Sequence, residues 1–252
     1  MSTPPNGPAG TTGIPVHLPV PSWLARQLER DATAGLFAAW GRSTVVDENV
    51  GAAVVGRDAV AALAEISGQA DGYPEGNAGL LHVYGYLFSD VLTPYGLKSD
   101  RWLDGMLAEA LGLDSDAFHP RAGAAGGPTM LSRVTAAARP LFDASPVDGA
   151  PGGGGFTLAR RDAISPGLAA LTVLRRVPGA AATALAYALE TPDGIRLITL
   201  FPIAADPGGV LAALDAEAPR LRYNALGSAP PIRAGSLDLP DHAAGDRAPG
   251  TQ

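Results

Sequence analysis

Apolar positions along this chain follow a helical period first and a strand period later. Leu24, Leu28, Leu36 and Trp40 fall near one face at helical spacing. They predict a helix from about Trp23 to Trp40, with Ser22 as its N-cap and Gly41 as its stop. Gly35 lies inside that helix and weakens it. A short strand is expected over 52–55, then a helix capped by Asp58, reaching about Ile66 and ended by Gly68. Leu103, Met106, Leu107, Ala110 and Leu111 place another helix over 100–111, capped by Ser99 and closed by Gly112. Met130, Leu131 and Val134 place one more, from Thr129 to about Arg139. The period then changes. Strands are expected over 169–177, 183–190 and 195–203, the last two joined by the hairpin signal Pro192-Asp193-Gly194. Asp206-Pro207 opens a final helix that Pro219 stops.

Between these blocks lies Gly79 to Val91 (GLLHVYGYLFSDV), whose aromatic and β-branched content reads as a strand, followed by a turn at Thr93-Pro94-Tyr95-Gly96. Helices, a strand, more helices and then an antiparallel run predict an α+β fold. An antiparallel sheet packed against several helices is expected, rather than a doubly wound α/β fold. Residues 1–20 and 240–252 are poor in core-forming residues and are expected to be flexible, disordered arms. Residues 21–239 then form one domain, with sub-segments 21–120 and 129–239 and a Gly/Pro-rich loop over 144–155.

Composition narrows the function classes. With 46% apolar residues the chain can build a core, yet no apolar run approaches the roughly 18 residues of a membrane span. Met1 to Gly13 lacks the basic start and apolar stretch of a secretory leader, so the expected location is cytoplasmic. The absence of cysteine removes disulfides, thiolate nucleophiles and cysteine-held metals. A net charge of −7 without a basic stripe argues against nucleic acid as a partner. The basic residues are arginine almost throughout, Lys98 being the only lysine, and Ala, Gly and Pro abound. That is the mark of a GC-rich coding sequence.

The densest polar cluster runs from Glu75 to Asp104. On a strand, His82, Tyr84, Tyr86 and Phe88 would share one face and form a polar-tipped aromatic wall. Histidine beside phenols suits proton transfer near neutral pH, which makes His82, Tyr84 and Tyr86 the candidate catalytic residues. The alternative is a buried sheet face whose polar tips bond to backbone. Lys98 could form a Schiff base if buried, or hold an anion; in a turn before a helix it is equally at home in solvent. Arg101 could steady negative charge on a substrate, and Glu75, at the head of the cluster, joins these two as a candidate binding residue. Asp100 and Asp104 suit the positive end of a helix dipole and could also bind a metal or act as a paired acid and base; Ser89, the serine nearest the aromatic wall, is a nucleophile candidate. One of Arg175 and Arg176 is expected to point inward and to need an anion, either a substrate carboxylate or, across neighbouring strands, Glu190, which is the preferred partner.

No two of His17, His82, His119 and His242 are close in sequence, and no metal motif occurs, so no metal is expected. Gly152 to Gly155 lacks the ending of a phosphate loop, and neither a dinucleotide fingerprint nor a nucleophile elbow is present. The reading that follows is an enzyme independent of cofactors, acting on a small organic molecule by acid/base chemistry, of hydrolase, lyase or cyclase type. The alternative is a non-catalytic binding or accessory protein using the same wall. A weaker one is a structural subunit of a homo-oligomer, paired through an exposed strand edge.

Overall fold

The computed structural model describes residues 20–94, 96–122, 126–143 and 155–227. The expected arms, nearly all of the 144–155 loop, and residues 228–239 lie outside the described residues. The fold is α+β. No helix among the described residues is long and apolar enough to cross a membrane.

Helix α1 (Ser22–Thr33) starts from Pro21, not from a Ser22 cap: Pro21 is the extended N-cap residue and Ser22 is already helical. The expected helix to Trp40 is cut at Gly35, which adopts a left-handed conformation (φ 66°) that a side-chain-bearing residue resists. A short 3₁₀ turn over Leu36–Ala39 follows, and Trp40 is extended. Strand β1 (Arg42–Thr44) comes next. The strand expected over 52–55 does not form; Ala53 makes only an isolated bridge to Val46. Helix α2 (Arg57–Ser67) ends at left-handed Gly68 as its sequence predicts, though Gly56 caps it and Asp58 sits in its first turn.

Strand β2 (Glu75–Asn77) leads into the main departure from the sequence reading. Residues 79–91 are not a strand. Gly79–Tyr84 forms a π-helix and Gly85–Phe88 a 3₁₀ helix, together a wound segment buried along most of its length. Asn77 explains the winding: its Oδ1 accepts from the backbone N–H of Gly79 (3.0 Å) and Leu80 (3.2 Å), the bonds of a helix cap. Gly79 is required by space, since a Cβ there would sit 2.8 Å from the Trp40 ring.

A small hairpin, β3 (Leu92–Thr93) with β4 (Gly96–Leu97), follows the wound segment. The helix expected over 100–111 is split into a 3₁₀ turn (Asp100–Trp102) and α3 (Met106–Ala110) by Gly105, again left-handed. Helix α4 (Met130–Asp143) is capped by Thr129, whose hydroxyl accepts from Ser132 N (3.1 Å), and runs past its expected end through Pro140.

The main sheet has the order β5-β6-β7-β8, antiparallel throughout. Its strands are β5 (Phe156–Ser165), β6 (Leu168–Arg176), β7 (Ala182–Thr191) and β8 (Gly194–Ala204). The last three match the expected strands within a residue or so. Strand β5 was not expected, because its charged residues Arg160, Arg161 and Asp162 interrupt the apolar pattern of an outer strand. The pairing expected for Glu190 is also corrected. Glu190 takes Arg161 of β5 (2.6 Å), while Arg175 donates to Thr157 (2.6 Å) and Arg176 to the Ala205 carbonyl (2.9 Å). Helix α5 (Gly208–Ala216) follows the sheet, and β9 (Ala225–Leu226) returns to pair with β1 in a second sheet ordered β2-β1-β9.

Strand β7 is buried over most of its length, with Ala182, Ala184, Ala186 and Ala188 on one face. α3 packs against β7, α4 against β6 and β8, and the wound segment against β8. A polar cluster lies deep in this core. The Asp31 carboxylate accepts from the Tyr84 and Thr129 hydroxyls, and the Tyr84 oxygen accepts from Leu131 N (3.3 Å). Burial raises the Asp31 pKa above its ordinary value even against those hydrogen bonds. Tyr84→Phe should therefore leave a buried carboxyl short of a donor. We expect a loss of about 2 kcal/mol in unfolding free energy, measured by urea titration with the slope unchanged.

Candidate functional site

A cavity of about 400 Å³ opens where the wound segment, the end of β8, helix α5 and the 217–224 segment meet. His82 and Tyr86 of the wound segment reach it; Tyr84 does not. On a strand all three would share a face. On this helix His82 and Tyr86 are four residues apart and stack on one side (ring centroids 4.8 Å apart, interplanar angle 15°). Tyr84 turns to the other side, into the Asp31 core. Tyr84 thus lies outside the cavity lining, bonded to Asp31.

Lys98 and Arg101 also line the cavity. Lys98 is no solvated turn lysine. Its side chain is 11% exposed and its Nζ lies 2.6 Å from Asp47 Oδ2, on a side chain 2% exposed. Asp47 accepts as well from Asn49 N (2.9 Å) and Val50 N (3.1 Å). Burial alone would raise the Asp47 pKa. The hydrogen bonds from Lys98 and the two amides, with the Lys98 charge, outweigh it and hold the carboxyl below its ordinary range. Burial, reinforced by the Arg101 charge, lowers the Lys98 pKa against the pull of Asp47.

The Arg101 guanidinium lies over the rings of Tyr86 (4.9 Å from the centroid) and Phe201 (5.3 Å), and donates to Thr199 Oγ1 (3.2 Å). The other cations of the cavity wall are matched: Lys98 by Asp47, Arg220 by Glu217 and Glu48, and Arg222 by Glu217. Among the described residues no carboxylate is within ion-pair distance of Arg101. Burial brings its pKa to about 10, so it is cationic at neutral pH.

His82 is 2% exposed. Its Nε2 lies 2.7 Å from Ser43 Oγ, which also donates to the Asn224 carbonyl (2.8 Å). Nδ1 is buried without a hydrogen bond of ordinary geometry among the described residues. Burial, with the charges of Arg101 and Lys98, holds the His82 pKa well below its usual value, against a contribution from the Ile198 backbone. Ile198 is the extra residue of a β-bulge: Tyr187 pairs with Thr199 and Ala188 with Leu197, so nothing on β7 opposes it. Tyr86 accepts from Asn224 Nδ2 (3.2 Å), and burial raises its pKa to about 12, so the phenol is protonated at neutral pH.

Tyr223 and Asn224 hold successive left-handed backbones (φ 55° and 64°), sparsely populated outside glycine. Surrounding bonds fix them. Asn224 Oδ1 accepts from Glu48 N (3.2 Å), its carbonyl accepts from Thr44 N (3.0 Å), and Tyr223 N donates to Glu48 Oε1 (3.0 Å).

Four of the six residues singled out in sequence thus converge, and two do not. Glu75 pairs with Arg42 at the surface (3.0 Å), outside the cavity lining. Ser89 is buried, and it too is absent from the lining. Asp104 does line the cavity, with its carboxylate accepting from Met106 N (2.9 Å). Sequence reasoning missed Asp47, Ser43, Phe201 and Asn224. Of these only Asn224, a residue tolerant of left-handed backbone, carried a local signal. No group of three or more His, Asp or Glu among the described residues is placed to hold a metal. Compared with family models, with curated proteins and with solved structures, the chain matches none.

The His82 environment sets a pH dependence of stability. The folded pKa lies below the unfolded value of about 6.5, so the unfolded chain takes up the proton first. This contribution is complete above about pH 6.5 and is lost as the pH falls toward the folded value. His82→Gln removes it. The gap in unfolding free energy between the native protein and His82→Gln should narrow on acidification by up to about 1.4 kcal/mol per pH unit. Urea titrations from about pH 7.5 to 5 measure it, and a constant gap contradicts it.

Proposed function

We propose that the cavity binds a small anionic organic molecule and that the protein is an enzyme acting on it by acid/base chemistry. The observation that carries this reading is Arg101: a guanidinium in the cavity wall, braced by two aromatic rings, with no carboxylate partner among the described residues. Arg101 is half-buried, and a cation partly withdrawn from water draws an opposite charge, which a carboxylate or similar oxyanion on a ligand supplies. The aromatic and aliphatic wall, with Tyr86, Phe201, Tyr223 and Val210, suits an organic body attached to that anion. The Lys98–Asp47 couple is the proton-transfer pair, short, largely dry and facing the same space. His82 is kept neutral and supports the Tyr86 ring by stacking.

One observation favours binding without catalysis. His82 Nε2 is already engaged by Ser43, which leaves the proton chemistry to Lys98 and Asp47 alone. The two readings part on Asp47→Asn. An enzyme loses turnover with this variant, whereas a binding protein has none to lose.

Native mass spectrometry of the purified protein, followed by titration with aliphatic and aromatic carboxylates, tests the anion site. We expect Arg101→Gln to weaken binding of the best carboxylate by roughly 30-fold or more, with Tyr84→Phe binding as the native protein does. Equal affinity in Arg101→Gln, or binding only of uncharged molecules, overturns the proposal.

A further inference from the structure

We infer that Lys98 is a covalent nucleophile, and that the molecule bound here is a small carboxylic acid bearing an aldehyde or ketone group, held by Arg101 and joined to Lys98 as a Schiff base. The inference rests on the anion-site reading and adds to it the substrate class and the bond formed.

Three features of the geometry carry it. First, the Lys98 side chain is mostly buried yet borders a cavity of organic-ligand size. Imines hydrolyse readily in water, so a shielded amine favours their accumulation. Second, a proton acceptor is already in place. Asp47 Oδ2 lies 2.6 Å from Nζ, and amides from Asn49 and Val50 fix its orientation. Third, Lys98 and Arg101 flank one aromatic ring, Nζ 5.6 Å and Cζ 4.9 Å from the Tyr86 centroid. A molecule whose carboxylate meets the guanidinium can therefore present a nearby carbonyl carbon to the amine. A purely structural Lys98–Asp47 pair needs neither the cavity nor the second cation.

The step balances without any further reactant. The Lys98 ammonium passes a proton to Asp47, and the neutral amine attacks the carbonyl carbon, forming the C–N bond. A proton moves from nitrogen to the former carbonyl oxygen, giving a carbinolamine. Asp47 returns its proton to that hydroxyl, the C–O bond breaks, and water leaves. The product is a protonated imine beside a carboxylate. Such an imine withdraws electrons from the neighbouring carbon, which favours loss of a proton or of carbon dioxide there.

Lys98 being the only lysine makes the test direct, because the chain then has just two amines, Nζ and the α-amino group. The protein is incubated with glyoxylate, pyruvate, acetoacetate, 2-oxoglutarate and phenylpyruvate in turn, each with cyanoborohydride, and digested for peptide mass mapping. We expect a reduced adduct on the Lys98 peptide with at least one acid, forming at least tenfold faster than on the N-terminal peptide. Arg101→Gln should slow it tenfold or more, and Lys98→Arg and Lys98→Met should leave only the N-terminal adduct. Circular dichroism melts establish that the variants fold. Should Arg101→Gln unfold, the same rate ratio is read on the native protein with acetone, which lacks the carboxylate and should label Lys98 no faster than the α-amino group. No Lys98 adduct with any of the five acids, or labelling no faster than at the N-terminus, overturns the inference. If carboxylates bind by native mass spectrometry but none is trapped, the covalent role falls and the anion site stands. If none binds and none is trapped, both fall.

Discussion

The structure depends on the burial of one short wound segment. Residues 79–88 pass through the middle of the molecule, and whatever is polar on them must find its partner inside the protein. Each demand recruits a different part of the chain. The first amides take the Asn77 side chain, Tyr84 takes Asp31 of α1, His82 takes Ser43 of β1, and Tyr86 takes Asn224 beside β9. Elements far apart in sequence are thereby held against a common axis. The second sheet lies where its strands can deliver Ser43 and Asn224 to that axis. Tyr84 and Tyr86, two residues apart, end in opposite worlds: one in a closed core, the other in a cavity wall.

The same constraint explains what the sequence made legible and what it hid. The antiparallel run of β6, β7 and β8 was readable because β-rich segments bounded by turns announce it, above all at Pro192-Asp193-Gly194. Residues 79–88 were misread because a continuous apolar run has no period of its own, and a buried helix and a buried strand look alike in it. Two signals pointed the other way. Val83 is the only β-branched residue between Gly79 and Phe88, and Asn77 stands where a helix cap would. The glycines at 35 and 105 broke their helices through left-handed geometry that a helical period does not register. Cavity membership was partly legible, since His82, Tyr86, Lys98 and Arg101 stood out as rare residue types in one stretch. Asp47 and Phe201 were not, because nothing local distinguishes an aspartate that will meet a lysine some fifty positions away.

Charge in the cavity follows from what each cation can reach. Asp47 sits on a loop close enough to neutralise Lys98 with a single short bond, and Glu217 and Glu48 absorb the arginines at the rim. Arg101 issues from a 3₁₀ turn whose own acid, Asp100, is exposed, and the rings of Tyr86 and Phe201 lie beneath its guanidinium. Ring faces attract a cation without cancelling its charge. The result is a positive centre that is held in place without a carboxylate partner among the described residues.

The cavity wall is drawn from both ends of the described chain: residues 47–49 and 82–104 on one side, Leu185, 199–203 and 209–224 on the other. The last of these closes over the cavity through Tyr223 and Asn224, whose uncommon backbone is sustained by bonds to the 43–48 segment. A molecule seated there would touch both sides at once and act as a rivet between them. Its binding energy would add to the free energy of keeping the 209–224 segment docked, so that occupancy and order there would form one thermodynamic quantity.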